Sequence, residues 1–431
     1  MNKKSIIINA VVMLLIGCVI SFSGIKSNRY FKEHENDKSE KTIISGVAFD
    51  EEKEMCIWYT NPDLEEYFNY LKRASKEEKG IDVTFVYKDK DTLVDDVNQA
   101  NISREDVPDL YIMPSENIGK AYLAGITKEL DFEEITKEKA EDNNLYAGRF
   151  SDVLCGIPYY FEEPVLLYNK DYVEKVPETF DDILAYADEF DGEKYPDVSS
   201  ILKWDIKELQ YNYGFVGNYL SFGGDDGDDA SIIDVKNSDV YNGLNYYASL
   251  KDYFSADLST VDYDKTLEDF SQGKVVFTIV NSQDLSRILD FKDKVITEDN
   301  MGITKIPDMK TNLKSKTLSF TDVICVNPYG NKYCTDDNNI TFDVNQGDEE
   351  IYDFINYMYG EKTEDLYEKT NYIPCYKWED EVFYNQYLSS TGLPKIPESN
   401  GFYVSLEVAM EKVWNKALPK DAMEELENTL K

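Results

Sequence analysis

The side chains able to do chemistry in this 431-residue chain are carboxylates and phenols: 84 residues are Asp or Glu against 45 Lys and Arg, and 33 are Tyr. The one histidine, His34, falls in a polar stretch near the N-terminus, so the rest of the chain has no imidazole for proton transfer. No G-x-S-x-G nucleophile motif or paired metal-ligand spacing occurs. Carboxylates alone still leave one reaction open. Two of them set roughly 5 Å or 6.5–9.5 Å apart hydrolyse glycosidic bonds, and a cleft holding Glu116 and Glu162 would suit that chemistry. The net charge of −39 repels polyanions, which removes nucleic acid and anionic lipid surfaces as partners. The Asp-rich run at 223–229, Gly-Gly-Asp-Asp-Gly-Asp-Asp, lacks the spacing of an EF-hand and reads as an exposed loop with no metal.

Positioning falls to alternating strands and helices. A strand pattern over 55–60 is followed by helical spacing over 63–79 with Leu64, Tyr67, Phe68 and Leu71 on one face, and Gly80 stops it. A second strand at 81–87, a helix at 93–100, a third strand at 110–113 and a helix at 117–124 continue the order. Such alternation predicts α/β architecture, a parallel sheet covered on both faces, with ligands beyond the carboxyl ends of the strands. That rule puts Tyr59, Thr60, Asn61, Ser115 and Glu116 at a cleft rim. Trp58 and Tyr59 are strand neighbours and point to opposite faces, and Tyr59 is the one expected at the rim. Further on, 164–168 and 275–280 read as strands and 180–190, 240–253, 405–416 and 420–430 as helices.

The N-terminus is a targeting segment. Lys3 and Lys4 precede an apolar run from Ile6 to Ile25, the layout of an export signal. Within it Leu15-Ile16-Gly17-Cys18 resembles a bacterial lipobox, whose cysteine carries diacylglycerol after cleavage. The run is equally long enough to span a bilayer uncut, and both anchors stay open. Residues 26–49 are polar and charged, a tether that holds a folded part away from the membrane on its outer face. The cysteines past Cys18 are Cys56, Cys155, Cys325, Cys334 and Cys375, an odd number set mostly among apolar neighbours. They read as small buried hydrophobes, with Cys325–Cys334 the one pairing the spacing leaves open.

Four segments in order, "PDLYIMPSENIGKAYLAG", "GIPYYFEEPVLLYNKDYVEKVPETFDDILAYA", "LEDFSQGKVVFTI" and "LPKIPESNGFYVSLEVAMEKVWN", resemble family 1 extracellular solute-binding proteins, the group containing the maltodextrin-binding protein. The resemblance implies a two-lobed periplasmic-binding-protein-like fold joined by a hinge. One lobe would hold 50–160 and 322–378, the other 161–321 and 379–431, with chain crossings near 158–163 and 319–322. It implies the substrate-binding component of an ABC importer, a monomer without cofactor or catalysis that closes on a small solute and is read by a membrane permease. Matched to the family's ligand contacts, Glu116 and Glu162 supply carboxylates and Tyr213 an aromatic face. Tyr403 stands where maltodextrin receptors have a stacking tryptophan, and Gln283 where they have another. The lost tryptophans count against maltodextrin itself and leave another sugar as the expected ligand. Polyamine receptors share the plan and hold cations with tyrosines and carboxylates, so a cationic solute is the alternative.

Overall fold

The computed structural model describes residues 48–49, 54–136, 142–254, 258–259, 261–330, 333–334, 344–376 and 381–430. Cys18, the export segment and nearly all of the tether lie outside them. The chain divides into a small unit, Met1–Phe49 with Thr335–Val344, and a large one, Asp50–Cys334 with Asn345–Lys431.

The strands and helices that position the functional groups lie in the large unit. Its first half is built from β1 (Met55–Tyr59), α1 (Glu65–Lys79), β2 (Val83–Tyr87), α2 (Leu93–Ser103), β3 (Leu110–Pro114) and α3 (Ile118–Leu123). Asn61 starts the turn leading to α1 by accepting the Asp63 N–H on its side-chain oxygen, with Pro62 behind it. Gly80 ends α1 at φ 72°, donating to the Lys76 carbonyl; glycine adopts this left-handed conformation without steric cost. β4 (Ile157–Glu162) ends one residue before β5 (Pro164–Asn169). The remaining strands are β6 (Ser200–Lys203), β7 (Val275–Asn281), β8 (Met301–Thr304), β9 (Thr317–Leu318), β10 (Phe320–Val326), β11 (Ile373–Pro374) and β12 (Ser390–Thr391). The C-terminal helices are α4 (Ser399–Trp414) and α5 (Pro419–Leu430).

Two sheets result. The larger runs β11-β4-β10-β3-β1-β2 and the smaller β8-β5-β7-β6. β1, β2 and β3 are parallel, as their βαβ connections require. The larger sheet as a whole is mixed, which corrects the parallel expectation: β10 returns from the other sheet and so enters antiparallel to β3 and β4. Alternation along the strands feeds separate cores. Ile57, Leu110, Ile112 and Ile324 join one cluster, whereas Trp58, Tyr111, Met113, Val323 and Cys325 join the cluster on the opposite face. In the smaller sheet Leu166, Tyr168, Val276 and Ile279 face a third cluster closed by Phe402, Leu406, Val413 and Trp414 of α4. The architecture is α/β and two-lobed.

The chain passes between sheets at three places. Glu163 alone separates β4 from β5, and Ser319 alone separates β9 from β10. The third passage lies between β11 and β12, and β12 pairs in parallel with β9. Both faces of β1 are covered, so Tyr59 corrects the rim expectation: it is 5% exposed, its ring 4.6 Å from Phe68 and 5.8 Å from Tyr87. Cys56, Cys155, Cys325 and Cys375 are free thiols, three of them buried. A Cys325–Cys334 bridge is thus ruled out, because the Cys325 side chain faces the apolar cluster with Tyr111 and Val323. The side chain of Cys334 is not among the described residues.

Candidate functional site

At the carboxyl ends of β1, β2 and β3 opens a groove of about 420 Å³. Thr60 and Asn61 reach it from β1, and Tyr87, Asp89, Lys90 and Asp91 from the end of β2 and the loop beyond. Pro114 and Glu116 come from β3 and its following turn, Glu162 from β4. Phe320, Thr321 and Asp322 of β10 and Tyr372 complete the lining. The strand directions explain the convergence: three parallel strands end on this side, and antiparallel β10 begins on it.

The floor is a hydrogen-bonded network. Tyr160 donates to Asp322 Oδ2 at 2.5 Å, and its hydroxyl accepts from Asn61 Nδ2 at 3.3 Å. Tyr160 and Asp322 face each other across the β4–β10 ladder. The Tyr372 ring lies 4.8 Å from that of Tyr160. Asn281, the last residue of β7, donates to Glu162 Oε2 at 2.8 Å, so a side chain of the smaller sheet meets one of the larger at the first passage. Burial pushes the Glu116 and Glu162 carboxyls up to about 7, with the charge of Asp322 adding to both. Asp322 itself is pushed up to about 6 by burial, although Tyr160 donates to it. These groups hold protons more readily than free carboxyls do, and a ligand that donates hydrogen bonds would stabilise their ionised forms.

Of the residues singled out from sequence, Thr60, Asn61, Glu116 and Glu162 share this groove. Tyr213 and Tyr403 lie together in the other lobe, ring centroids 6.0 Å apart, with Tyr213 buried and Tyr403 half-buried. The Glu116 carboxylate raises the Tyr403 hydroxyl, behind the larger effects of burial and of Tyr213 and Tyr146. Gln283 sits half-buried in the turn after β7 and is not among the groove residues. Sequence reasoning missed Tyr160, Asp322, Tyr372, Tyr87 and the Asp89–Asp91 loop. A carboxylate inside the otherwise apolar "FTDVICV" strand was the available signal for Asp322. Among the described residues no cluster of three His, Cys, Asp or Glu side chains could hold a metal ion.

The family model for bacterial extracellular solute-binding proteins matches residues 44–380. A maltooligosaccharide ABC transporter solute-binding lipoprotein of Streptococcus pneumoniae is 26% identical over 278 residues, 63% of each chain. The match thus spans under two thirds of that relative's length. A galactooligosaccharide-binding protein of Bacillus subtilis is 26% identical over 344 residues, covering 75% of this chain and 76% of the relative. Among solved structures, a maltose-binding periplasmic protein from Listeria monocytogenes in complex with maltose superposes with a TM-score of 0.69. It is 18% identical and covers 88% of this chain and 97% of that one.

Proposed function

This chain belongs to the family of bacterial extracellular solute-binding proteins, and on that premise we propose that it is the extracytoplasmic receptor of an ABC importer for a neutral oligosaccharide. The groove at the strand ends carries the reading: carboxylates Glu116, Glu162 and Asp322 as acceptors for sugar hydroxyls, with Tyr87, half exposed, and Tyr372 as aromatic faces. The names of the two curated relatives support an oligosaccharide. In this reading the half-buried Tyr403, packed beside the buried Tyr213, offers the opposing aromatic surface. The lobes in this reading are 50–160 with 322–378 and 161–321 with 379–431, a division supported by the passages at Glu163 and Ser319. Contacts made by both lobes exist only when they close, so the ligand favours closure by its differential affinity. A permease then accepts the closed form of this monomer.

Anchoring is by lipid at Cys18, supported by the lipobox pattern and by the name of the pneumococcal relative. Among the described residues no helix is long and apolar enough to cross a membrane.

A second reading has a specific observation behind it. Glu116, Glu162, Asp322, Asp89 and Asp91 face the groove against Lys90, the one cation among its described lining residues, which suits a polyamine. A thermal-shift screen of the ectodomain against maltooligosaccharides, galactooligosaccharides and polyamines separates the two, because a ligand of the native state raises its melting temperature. Stabilisation by a neutral oligosaccharide is expected. Stabilisation by polyamines alone overturns the sugar reading, and appearance of cleaved sugar overturns a pure receptor.

A further inference from the structure

Glu162 is held by one side chain of the smaller sheet, and that side chain is itself held from behind. Asn281 ends β7 and is buried. Its Nδ2 donates to Glu162 Oε2 at 2.8 Å, while its Oδ1 accepts from Ser282 Oγ at 3.4 Å. Its backbone N–H donates to the Tyr263 hydroxyl at 3.0 Å, and that hydroxyl donates to Asp284 Oδ2 at 2.7 Å. Strand geometry explains why a phenol takes this main-chain donor. The N–H of Ser282 reaches the Glu163 carbonyl at 2.9 Å on the β5 side, so that of its neighbour Asn281 points to the opposite edge. There β6 has already ended at Lys203, opposite Thr278. A buried N–H without a ladder partner needs another acceptor, and Tyr263 supplies it.

Tyr263 is itself fixed on several sides. It opens the helix Tyr263–Ser271, whose capping Asp262 accepts the Lys265 N–H. Leu267 and Phe270 of that helix share a core with Val275 and Val280 of β7. The Tyr263 ring stacks on buried Tyr211 with centroids 5.1 Å apart and planes 19° apart. Its acceptor Asp284 is braced by Arg287 at 3.6 Å, and the same guanidinium meets Asp264 at 2.6 Å. The ring is not among the groove residues.

We propose that Tyr263 is a positioning residue of the groove: by holding the Asn281 main chain it aims the Asn281 amide at Glu162 and so fixes the carboxylate that meets the ligand. The proposal rests on the reading of this groove as the oligosaccharide site. The amide occupies Oε2 alone and leaves the other carboxylate oxygen to a sugar hydroxyl. A carboxylate already held in place loses less freedom when the ligand arrives. The amide also favours the ionised form. Around Glu162 stand Asp322 of β10, Asp284 of the turn after β7 and Asp63 ahead of α1, whose charges all oppose ionisation, with the Tyr372 phenol beside them; the Asn281 hydrogen bond works the other way.

Carbon-13 carboxyl titration of ligand-free ectodomain, with the Glu162 resonance assigned through Glu162→Gln, reads the positioning directly. Asn281→Ala should raise the Glu162 titration midpoint by about one pH unit, the size of a lost hydrogen bond to a charged group. Tyr263→Phe keeps the ring on Tyr211 and removes only the hydroxyl, and should raise the midpoint by about half a pH unit. Because Tyr263 acts through Asn281, the double variant should match Asn281→Ala alone. A wild-type midpoint in Tyr263→Phe, or effects that add in the double variant, overturns the proposal and leaves Tyr263 a packing role only. If Tyr263→Phe folds poorly, Asn281→Ala decides: a raised midpoint upholds the chain of contacts and an unmoved one overturns it. In calorimetric titration with maltotriose and a galactotriose, Tyr263→Phe should weaken whichever sugar binds the wild type by about threefold to tenfold, and unchanged affinity overturns the role in binding. Failure of both sugars to bind the wild type counts against the oligosaccharide reading, and the ligand-free titration still decides how Glu162 is held.

Discussion

Replacing Glu162 by Gln keeps its volume and an acceptor for the Asn281 amide while removing a titrating group from the passage between lobes. Burial first, then the charges of Asp322, Asp284 and Asp63, hold this carboxyl up at about 7 from an ordinary 4.5, against the Asn281 hydrogen bond that lowers it. A carboxyl with a raised folded-state value binds more protons in the native than in the unfolded chain between those two pH values. Stability therefore falls as pH rises through the window, and the cost is complete above about pH 7. The rise from 4.5 to about 7 corresponds to about 3 kcal/mol. Glu116 and Asp322 titrate in overlapping ranges beside it, so protons are shared and about 1–3 kcal/mol is the expected share of one group. Urea unfolding of wild type and Glu162→Gln at about pH 4.5 and about pH 8 measures it. The variant should gain about 1–3 kcal/mol relative to wild type between the lower and higher pH. An offset that stays constant with pH would refute the reasoning, because Glu162 would then ionise as easily in the fold as out of it.

Tyr403→Ala should weaken oligosaccharide binding by about 1–3 kcal/mol, comparable to losing one large apolar contact, with titration calorimetry as the check. Unchanged affinity with a clearly lowered melting temperature of the free protein would instead make Tyr403 a core residue packed on Tyr213 and Phe402. Cys18→Ala in the full chain should abolish fatty-acid labelling and leave unprocessed precursor, whereas an uncut transmembrane anchor gives no label in either protein.

The strand-end rule reached Thr60, Asn61 and Glu116 because parallel strands and their termini are written in local periodicity. Glu162 came from the order of segments rather than from its surroundings. Tyr160 and Asp322 were out of reach for a physical reason: they are 162 residues apart and meet only through the register of antiparallel β4 and β10, which no local pattern encodes. Tyr59 shows the complementary limit. Alternation separates Trp58 from Tyr59, but which face is open depends on what covers it, and in this central strand both faces are covered. The mixed direction of the larger sheet has the same origin, since β10 belongs to it only after a detour through the other lobe.

The central claim is that the groove takes a neutral oligosaccharide, and calorimetric titration of the ectodomain with maltooligosaccharides and galactooligosaccharides at low and high salt tests it most directly. The account predicts saturable one-to-one binding of at least one of them, with an affinity that salt leaves nearly unchanged because no net charge is paired. Binding confined to polyamines and weakened strongly by salt would contradict it.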